Sequence, residues 1–470
     1  MAPSSRKVVT WDHVDEAAVF DHSPARDSMA SASKPAANGT TYGSTLRGCV
    51  VGVTGGAGHI GQRLRSRLLA VGCAEVRSLD VHHSASALSL GGGKRDVCID
   101  GSVTDAQACR QLANGVDVVF HLAAAGMSGP AMLDAGLTNR VNVGGTFTLL
   151  DQCSQVGGGA LSFEPAATCS GDPRPFVRFV YCSTANVVFG GQTIDGGDET
   201  TPVFPADQHM DRYVLAHYGV CHLPDATGAS PSFSLLLSYS QSKAAAEAMV
   251  LEANAQAPSP RATLLYTTAL RPNAIYSEHD ERHFPRIANL AAFGATRVPV
   301  GRADAKLDWL YVENFVDALL AAAESLHPSK GKRAAGRVYV LVVCAWQGSH
   351  GCSWRVALPL SRLLLLGCRY CVGDGTPINM YDLFRRLDAA VTGRSPNRPP
   401  LFRVPVSLAM GWAHVCEAVH RATGYLPGVT RAEVAKASAH HWFHITRARK
   451  ELGWTPRVSW EEGMGRVVAR

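Results

Sequence analysis

A glycine-rich turn constrains the fold of this chain more than any other feature. The segment TGGAGHIG runs from Thr54 to Gly61, with glycines three residues apart at Gly55, Gly58 and Gly61. It follows a short apolar run and precedes a segment with the apolar spacing of a helix. In a strand–turn–helix unit of this kind, the backbone closely approaches a pyrophosphate and points helix N-terminal N–H groups at it. A purely structural turn would contain the same glycines, so the motif needs support from the rest of the chain.

Strand-like and helix-like segments alternate along the chain. The strand candidates lie at 49–54, 76–81, 97–99, 116–122, 177–182 and 262–270, and the helix candidates at 62–70, 138–156 and 240–255. The strand candidates are mostly apolar along their length, which is typical of a parallel sheet covered by helices on both faces. We therefore predict an α/β fold, a Rossmann-type doubly wound parallel sheet with a smaller C-terminal substrate lobe.

The pattern also divides the chain into regions. Residues 1–46 lack an apolar period and are predicted to be a disordered tail. Residues 47–275 form the predicted nucleotide-binding Rossmann domain, and residues 276–470 form most of the substrate lobe. Loops or insertions are predicted where no clear period is found, at 157–174, 219–238 and 341–371.

An acidic residue, Asp80, closes the second predicted strand, about 20 residues after the glycine turn. A carboxylate here accepts hydrogen bonds from both ribose hydroxyls of NAD and repels the 2′-phosphate of NADP. No arginine follows it directly, although His82 and His83 would tolerate a phosphate, so NAD is expected in preference to NADP. Asp100 ends the third predicted strand, where it would hold an adenine amino group; a solvated turn is the alternative explanation.

A tyrosine and a lysine begin a later helical segment, YSQSK, at Tyr239 and Lys243. This spacing places them on one helix face, where the ammonium group favours the phenolate and lowers the pKa of the tyrosine. A tyrosine activated in this way acts as a general base near neutral pH. Upstream, a predicted strand is followed by Ser183 and Thr184, whose hydroxyls suit a hydrogen bond to a reacting oxygen. Such a Tyr–Lys pair is common on helix surfaces, but together with the glycine turn and the acidic strand end it predicts a catalytic site.

Composition excludes several classes of protein. The chain has 470 residues, 46% apolar and 18% charged, which is enough for a large core. Its net charge is +6 without a basic run interleaved with aromatics, so no nucleic-acid partner is expected. The 13 cysteines are scattered and no secretory leader is recognisable, so we expect free thiols and a protein that is not secreted. Cys368 and Cys371 have metal-like spacing but lack a clean second pair, so no metal site is expected.

Several segments together resemble the extended short-chain dehydrogenases/reductases, and within them the 3β-hydroxysteroid dehydrogenase group, closest to its 42E branch. The similar stretches include TGGAGHIG at Thr54, FHLAAAGMSG at Phe120, VYCSTANVVFGGQ at Val180, YSQSK at Tyr239, ALRPNAIY at Ala269, ERHFPRI at Glu281 and DWLYVENFVDALLAA at Asp308. The resemblance covers most of residues 48–470. Its AGMSG, VVFGGQ and RHFPRI stretches are far more specific than the glycine turn.

The resemblance implies a role for each candidate residue. Tyr239 is the acid/base, Lys243 binds the nicotinamide ribose, and Thr184 is the supporting hydroxyl, with Ser183 as the second choice. Asn142, in the stretch VNVGGT, organises a proton-relay water or, alternatively, only positions its helix. The implied binding residues are Gly55, Gly58, Ile60, Gly61, Asp80, Asp100, Leu122, Ala123, Ala124, Lys243 and Pro272 for the cofactor, and Met127, Ser128 and Asn273 for the substrate.

The resemblance also implies an activity: NAD-dependent oxidation of the 3β-hydroxyl of a sterol or steroid-like molecule. Two alternatives stay open. One is an epimerase or reductase of the same superfamily acting on a sugar nucleotide or a phenolic ketone. The other is a non-catalytic NAD-binding protein whose site is blocked by the 219–238 insertion. The chain departs from the family at Ile275–Glu278, which replaces a Gly-Pro-Gly turn at the mouth of the expected substrate site.

Relatives in the steroid group often associate with the endoplasmic reticulum, so we expect a cytoplasmic protein or one associated with that membrane. The segment Phe402–Val419 is partly apolar but is interrupted by His414 and Glu417. We therefore predict a soluble or peripherally attached protein rather than a membrane-spanning one. A hydrophobic small molecule is the expected substrate, and peripheral membrane contact and a homodimer are both compatible with the chain.

Overall fold

Alternating strands and helices make up the part of the chain that the structure describes. The computed structural model describes residues 42–82, 95–126, 134–158, 175–205, 239–255, 262–278, 280, 298–302, 304–330, 337–338, 365–366, 368–392, 401–425 and 429–468. The strands are β1 (Val50–Thr54), β2 (Glu75–Asp80), β3 (Asp96–Asp100), β4 (Val118–His121), β5 (Phe176–Cys182), β6 (Ile194–Gly197), β7 (Leu264–Pro272), β8 (Ala274–Tyr276), β9 (Lys306–Leu307), β10 (Trp309–Tyr311), β11 (Arg337–Val338), β12 (Leu365–Leu366), β13 (Cys368–Val372), β14 (Ile378–Asn379) and β15 (His441–Phe443). The α-helices are α1 (His59–Val71), α2 (Ala106–Ala113), α3 (Ala135–Asn139), α4 (Thr146–Val156), α5 (Tyr239–Glu252), α6 (Val312–Ser325), α7 (Met380–Thr392), α8 (Val406–Thr423), α9 (Arg431–Ser438) and α10 (Trp460–Val468).

The main sheet contains seven parallel strands in the order β13–β7–β5–β4–β1–β2–β3. From β1 the chain adds β2 and β3 on one side and then crosses over to add β4, β5 and β7 on the other. The gap between β1 and β4 is the switch point of a doubly wound sheet, where ligands bind beyond the carboxyl ends of the strands. The predicted Rossmann-type fold is therefore confirmed.

Helices cover both faces of this sheet. On one face, α1 and α6 bury Leu64, Leu68 and Phe315 against the strands. On the other face, α2, α4 and α5 bury side chains such as Leu112 and Val250. Continuous burial on both faces explains why the strands are mostly apolar rather than alternating.

The predicted strands and helices of the first 275 residues agree with the structure to within a few residues at their ends. The largest difference is in the segment predicted as one helix at 138–156. It begins earlier, at Ala135, and contains a π-helical segment, Arg140–Gly145, between α3 and α4. Such π segments are rare and often occur at functional sites.

The predicted tail at 1–46 was wrong at its C-terminal end. Tyr42 and Leu46 are buried in the main core, Leu46 completely. The Tyr42 hydroxyl donates to the carbonyl of Gly453 at 3.2 Å and accepts from the N–H of Thr455 at 3.2 Å. Two apolar residues on a short turn are too few to show a period, and their partners lie about 400 residues away, so the sequence pattern did not indicate them. Residues 1–41 lie outside the described residues.

The predicted insertion at 341–371 was also wrong at its end. Cys368–Val372 is the strand β13, which pairs in parallel with β7 over five residue pairs. The Rossmann sheet therefore includes a strand from beyond the predicted boundary at 275. Three parts of the predicted insertions fall outside the described residues: 159–174, all of 219–238, and most of the remaining 341–367 segment.

The C-terminal lobe is built around a smaller four-stranded sheet in the order β14–β9–β15–β6. A separate parallel pair, β8 and β10, packs against an aromatic cluster that includes Tyr276, Trp309 and Trp460. Among the helices of the described ranges, none has the length and apolar character needed to cross a bilayer.

Candidate active site

The glycine turn between β1 and α1 has a backbone that requires glycine. Gly55 has a φ of +70°, and a Cβ placed there would lie 2.9 Å from the backbone nitrogen of Ala123. A Cβ on Gly61 would lie 2.2 Å from the carbonyl oxygen of Gly55. Gly58 caps the N-terminus of α1, next to Ile60 in the first turn. This turn, the glycine cradle (Gly55–Gly61), therefore combines a closely packed backbone with a helix N-terminus, the two features on which pyrophosphate binding depends.

The acidic residue Asp80 lies directly against this turn. Its Oδ2 accepts a hydrogen bond from the N–H of Ala57 at 3.0 Å, and its Oδ1 accepts from the N–H of Val81 at 2.8 Å. Asp100 is its register partner on β3, so both carboxylates lie at the same end of the sheet. The turn and the two acidic strand ends therefore lie at the same end of the sheet.

The other residues implied to line the cofactor lie along the same edge of the sheet. Leu122, Ala123 and Ala124 follow β4, and the N–H of Ala123 donates to the Thr54 hydroxyl at 3.2 Å. Pro272 is the last residue of β7, and Asn273 follows it. The carboxyl ends of β1, β2, β3, β4 and β7 thus bring together all the predicted cofactor residues that strands carry.

The Tyr–Lys pair occupies the start of α5, as predicted. The Lys243 side chain is buried; its Nζ donates to the carbonyl of Cys182 at the end of β5 and lies 4.2 Å from the ring centroid of Tyr181. Burial lowers the pKa of Lys243 to about 8, against opposing contributions from Cys182 and Glu247. Tyr239 is half-buried at the first position of the helix. The structure thus places a buried cation one helical turn after a half-buried tyrosine, which is the spacing of a lysine-assisted tyrosine base.

Asn142 lies within the π segment and holds two parts of the site together. Its Oδ1 accepts from the N–H of Ala125 at 2.8 Å, and its Nδ2 donates to the carbonyl of Ala125 at 3.0 Å and to the Ser242 hydroxyl at 2.9 Å. The Ser242 hydroxyl in turn donates to the carbonyl of Tyr239 at 2.8 Å. These contacts support the positioning role that was the alternative to a proton relay.

The two hydroxyls after β5 have different surroundings. Ser183 is buried, and its Oγ donates to Glu247 Oε2 at 2.6 Å. Thr184 lies one residue further on, and its Oγ1 accepts from the N–H of Asn186 at 3.3 Å. Because the Ser183 hydroxyl is committed to a buried carboxylate, Thr184 is the better supporting hydroxyl for a reacting oxygen.

The implied substrate residues are only partly accounted for. Asn273 is buried, and its Nδ2 donates to Asp308 Oδ2 at 3.2 Å. Met127 and Ser128 lie outside the described residues. At the departure from the family turn, Ser277 and His59 Nε2 are 2.7 Å apart, and Glu278 pairs with Arg63 at 3.2 Å. These two contacts tie the expected substrate mouth to the first turn of α1.

Several buried polar residues near the site were missed by sequence reasoning. His121 lies between the hydroxyls of Thr54 and Thr146, at 2.7 and 2.9 Å, and burial lowers its pKa to about 3. Glu247 pairs with Arg271, one helical turn after Lys243. For Glu247 a signal existed, because it repeats the four-residue spacing of Tyr239 and Lys243. For His121 the apolar strand around it gave none.

Comparison with known proteins identifies relatives over most of the chain. The family described as "3-beta hydroxysteroid dehydrogenase/isomerase family" matches residues 52–217 and 232–343. "Short-chain dehydrogenase/reductase family 42E member 1" of Bos taurus is 31% identical over 411 residues, 86% of this chain and 82% of the relative. The human protein of the same name is 30% identical over 408 residues, with the same coverage. A "3 beta-hydroxysteroid dehydrogenase/Delta 5-->4-isomerase" of Mycobacterium tuberculosis is 28% identical over 417 residues, 88% of this chain and 87% of the relative.

Solved structures support the fold. "Pal from Bacillus thuringiensis" superposes with a TM-score of 0.52 at 20% identity, covering 89% of this chain and 98% of that one. "MoeE5 in complex with UDP-glucose and NAD" gives a TM-score of 0.51 at 18% identity, covering 89% and 97%. The family match spans more than half of the chain, and the 42E relatives extend it over most of the remainder. The chain therefore belongs to the 3β-hydroxysteroid dehydrogenase/isomerase family of the short-chain dehydrogenases/reductases.

Proposed function

We propose that the protein is an NAD-dependent dehydrogenase that oxidises the 3β-hydroxyl of a sterol-like substrate. The observation that carries the proposal is the buried ammonium group of Lys243, held at the end of β5 one helical turn after Tyr239. This geometry suits removal of a proton from a secondary alcohol. The glycine cradle and Asp80 fit a dinucleotide. The turn is so tight that a Cβ at Gly55 or Gly61 would clash with the backbone, and Asp80 lies directly against it.

Each residue of the site then has a chemical task. Bound NAD supplies the hydride acceptor. Tyr239, as the phenolate favoured by Lys243, takes the proton of the substrate hydroxyl. Thr184 donates a hydrogen bond to the oxygen on which negative charge develops, and stabilises it there. Asn142 keeps the loop after β4 in contact with the helix that carries Tyr239.

The proposal is tested by measuring NAD reduction with the purified full-length chain. The panel contains 3β-hydroxysterols, including a 4α-carboxysterol, together with their 3α-hydroxy epimers and UDP-glucose. We expect absorbance of NADH to appear with a 3β-hydroxysterol and not with its 3α epimer. Conversion of UDP-glucose into its 4-epimer without oxidation of any sterol would instead indicate an epimerase. This reaction is followed by chromatography, because epimerisation regenerates NAD and gives no net NADH. NADH binding without turnover of any panel member would favour a non-catalytic protein.

We further propose that NAD is preferred over NADP because Asp80 faces the adenine ribose. A like-charge contact between a carboxylate and a 2′-phosphate costs several kcal/mol at a binding site. NAD should therefore raise the melting temperature more than NADP at equal concentration, with an affinity difference above about tenfold. Asp80→Asn keeps the shape of the side chain and removes its charge. In this variant the difference between the melting temperatures with NAD and with NADP should become smaller.

Thermal shift titrations with both cofactors measure this preference. Asp105→Asn is the matched control, because Asp105 is an exposed carboxylate that caps α2. It should leave the NAD preference as it is. Equal stabilisation of the unaltered protein by NAD and NADP would contradict the role given to Asp80.

We also propose that the exposed face of α8 rests on a lipid bilayer. Leu408, Trp412, Val415 and Val419 follow the spacing of one helix face and are 45–67% exposed. Glu417 is the sole acidic residue of 401–425, and it is buried and paired with an arginine of α9. An apolar stripe with a tryptophan and no outward acidic group suits the interface of an anionic membrane.

The opposite face of α8 supports this orientation. Met410 packs against the cluster that contains Ala185 and Ala244, which are the neighbours of Thr184 and Lys243. A helix is about 10 Å wide, so a membrane on the outer face would lie close to the site. An apolar substrate dissolved in the bilayer would then have a short path to the reacting groups.

Flotation with vesicles of phosphatidylcholine and phosphatidylserine tests the contact. Leu408→Ser/Trp412→Ser/Val415→Ser should reduce the floated fraction several-fold, since about 100 Å² or more of apolar area is lost per large side chain. Phe147→Ser, an exposed apolar residue of α4, is the matched control and should float like the unaltered chain. If the triple variant still floats with vesicles but no longer forms a dimer that the unaltered chain forms, the exposed face of α8 is instead the contact with a second copy of the chain. Carbonate-resistant membrane partitioning would contradict a peripheral contact.

A further inference from the structure

A buried ion pair lies directly behind the Tyr–Lys pair. Glu247 follows Lys243 by one turn of α5, and its carboxylate accepts hydrogen bonds from Arg271 of β7 at 2.6 and 2.9 Å. The two side chains are 2% and 1% exposed. Burial opposes ionisation of Glu247, but the Arg271 guanidinium and the hydrogen bonds from Arg271 and Ser183 outweigh it and lower the pKa. The pair is therefore ionised inside the protein.

The same carboxylate also holds the end of β5. Ser183 Oγ donates to Glu247 Oε2 at 2.6 Å, and the Ser183 N–H donates to the carbonyl of Leu270 at 2.8 Å. Ser183 stands between Cys182, whose carbonyl accepts from Lys243, and Thr184. Through Ser183, the Glu247 carboxylate is thus connected to Cys182, whose carbonyl holds Lys243, and to Thr184, the next residue of the chain.

Charged and titratable groups approach Lys243 from every neighbouring strand. Tyr181 and Cys182 lie on β5, and His121 on β4 is kept neutral because burial lowers its pKa. Arg271 on β7 and, more distantly, Arg369 on β13 bring positive charge to Glu247, at 2.6 and 3.6 Å. Within this environment Glu247 supplies the compensating negative charge.

We propose that Glu247, held by Arg271, is a positioning residue for the reaction: it fixes the end of β5 against α5 and keeps Lys243 in its ammonium form. This inference rests on the proposed function, since the groups it positions are those assigned to proton transfer. Removing the negative charge would leave the Arg271 guanidinium uncompensated beside the lysine. The ammonium form of Lys243 would then be lost at lower pH.

Glu247→Gln tests the charge, with a readout that needs no substrate. NADH binding is followed by fluorescence as a function of pH, because the affinity falls when the ammonium group facing the ribose loses its proton. We expect the midpoint of this fall to move to lower pH by about one unit in Glu247→Gln. In Lys243→Met the pH-dependent fall should disappear, which identifies the lysine as its source.

Two further variants separate positioning from a general loss of stability. Asp317→Asn is the matched control, because Asp317 is a buried carboxylate of α6 that pairs with Arg67 and Arg457. It should lower the melting temperature without moving the midpoint. Glu247→Gln/Arg271→Gln removes both charges together, as a neutral buried pair is tolerated far better than a single unpaired charge. Its midpoint should return towards that of the unaltered protein.

Ser183→Ala tests the geometric part with all charges in place. It should lower kcat several-fold and leave the NADH midpoint unchanged, whereas Ser325→Ala, which removes a buried hydroxyl from α6, should leave kcat as it is. An unmoved midpoint in folded Glu247→Gln, or an equal shift in Asp317→Asn, would overturn the proposal. An unchanged kcat in Ser183→Ala would contradict the part of the proposal in which Glu247 fixes the end of β5 through Ser183. If the unaltered chain oxidises no sterol while the midpoint still shifts, the proposed function fails and the role of Glu247 towards Lys243 stands.

Discussion

Tyr239→Phe is expected to lower the turnover of a 3β-hydroxysterol by about 10²–10⁴-fold, with NADH binding nearly unchanged. The phenol oxygen is needed to take the proton, whereas the cofactor is held by the glycine turn, Asp80 and Lys243. The change therefore removes an interaction that matters in the transition state and spares those made in the ground state. Steady-state rates and fluorescence titration of NADH with the same protein preparation measure the two effects separately.

A matched tyrosine shows whether the effect belongs to the site. Tyr42→Phe also removes a hydroxyl, but that hydroxyl bonds Gly453 and Thr455 on the far side of the core. It should lower the melting temperature slightly and leave turnover unchanged. Activity that survives Tyr239→Phe would rule out the mechanism, whatever the substrate.

The second large effect concerns two buried aspartates, Asp308 between β9 and β10 and Asp374 just after β13. Burial raises the pKa of Asp308 to about 7 and, together with the negative charge of Asp308, raises the pKa of Asp374 to about 8. Asp308 accepts from Asn273, and Asp374 accepts from the N–H of Tyr311 and from the side chain of Asn314. In the unfolded chain both groups titrate near the ordinary value of 3.8.

The sign of the pH dependence follows from proton counting. Between pH 4 and pH 8 the folded protein binds protons that the unfolded chain has already released. The contribution of these two carboxyl groups to the free energy of unfolding therefore falls as the pH rises through this window. Each unit of pKa difference between the folded and the unfolded state changes the free energy of unfolding by about 1.4 kcal/mol. Asp308 alone therefore contributes a change of up to about 4 kcal/mol.

Asp308→Asn replaces one of the two titratable carboxyl groups by a neutral amide of nearly the same shape. We expect the unfolding free energy of Asp308→Asn, measured by denaturant titration, to increase relative to that of the unaltered protein as the pH rises from 5 to 8. At pH 8 it should be the more stable of the two. Asp382→Asn is the control, because that carboxylate is half-exposed beside Arg385. A stability difference between Asp308→Asn and the unaltered protein that does not change with pH would contradict the assignment.

Much of the fold and part of the site could be predicted because the signals are local. The glycine turn, the acidic strand end at Asp80 and the pair Tyr239 and Lys243 each lie within a few residues of one strand or helix. Their geometry is imposed by the backbone, as the close contacts at Gly55 and Gly61 show. A reader of the sequence therefore finds these groups without knowing what packs against them.

The remainder depends on contacts between distant parts of the chain. Tyr42 is anchored about 400 residues away, and Ser183 and Arg271 meet at Glu247 from two different strands. Burial raises the pKa of Asp308, and the groups that hydrogen-bond its carboxylate, Asn273 and Gly375, come from two other segments of the chain. No periodicity or spacing in one window of sequence encodes such contacts, so the partners of these residues could not be predicted from the sequence.

The strand β13 has a consequence for how the protein is made. It covers the outer edge of β7, whose nine residues are all buried, and it leaves the ribosome nearly 100 residues after that strand. Until then, β7 presents a row of unpaired N–H and C=O groups, which favours association between chains. A fragment cut at the boundary near residue 275 would keep this open edge permanently. Folding of the sheet is thus completed only late in synthesis, and a shortened nucleotide-binding half would be prone to aggregate.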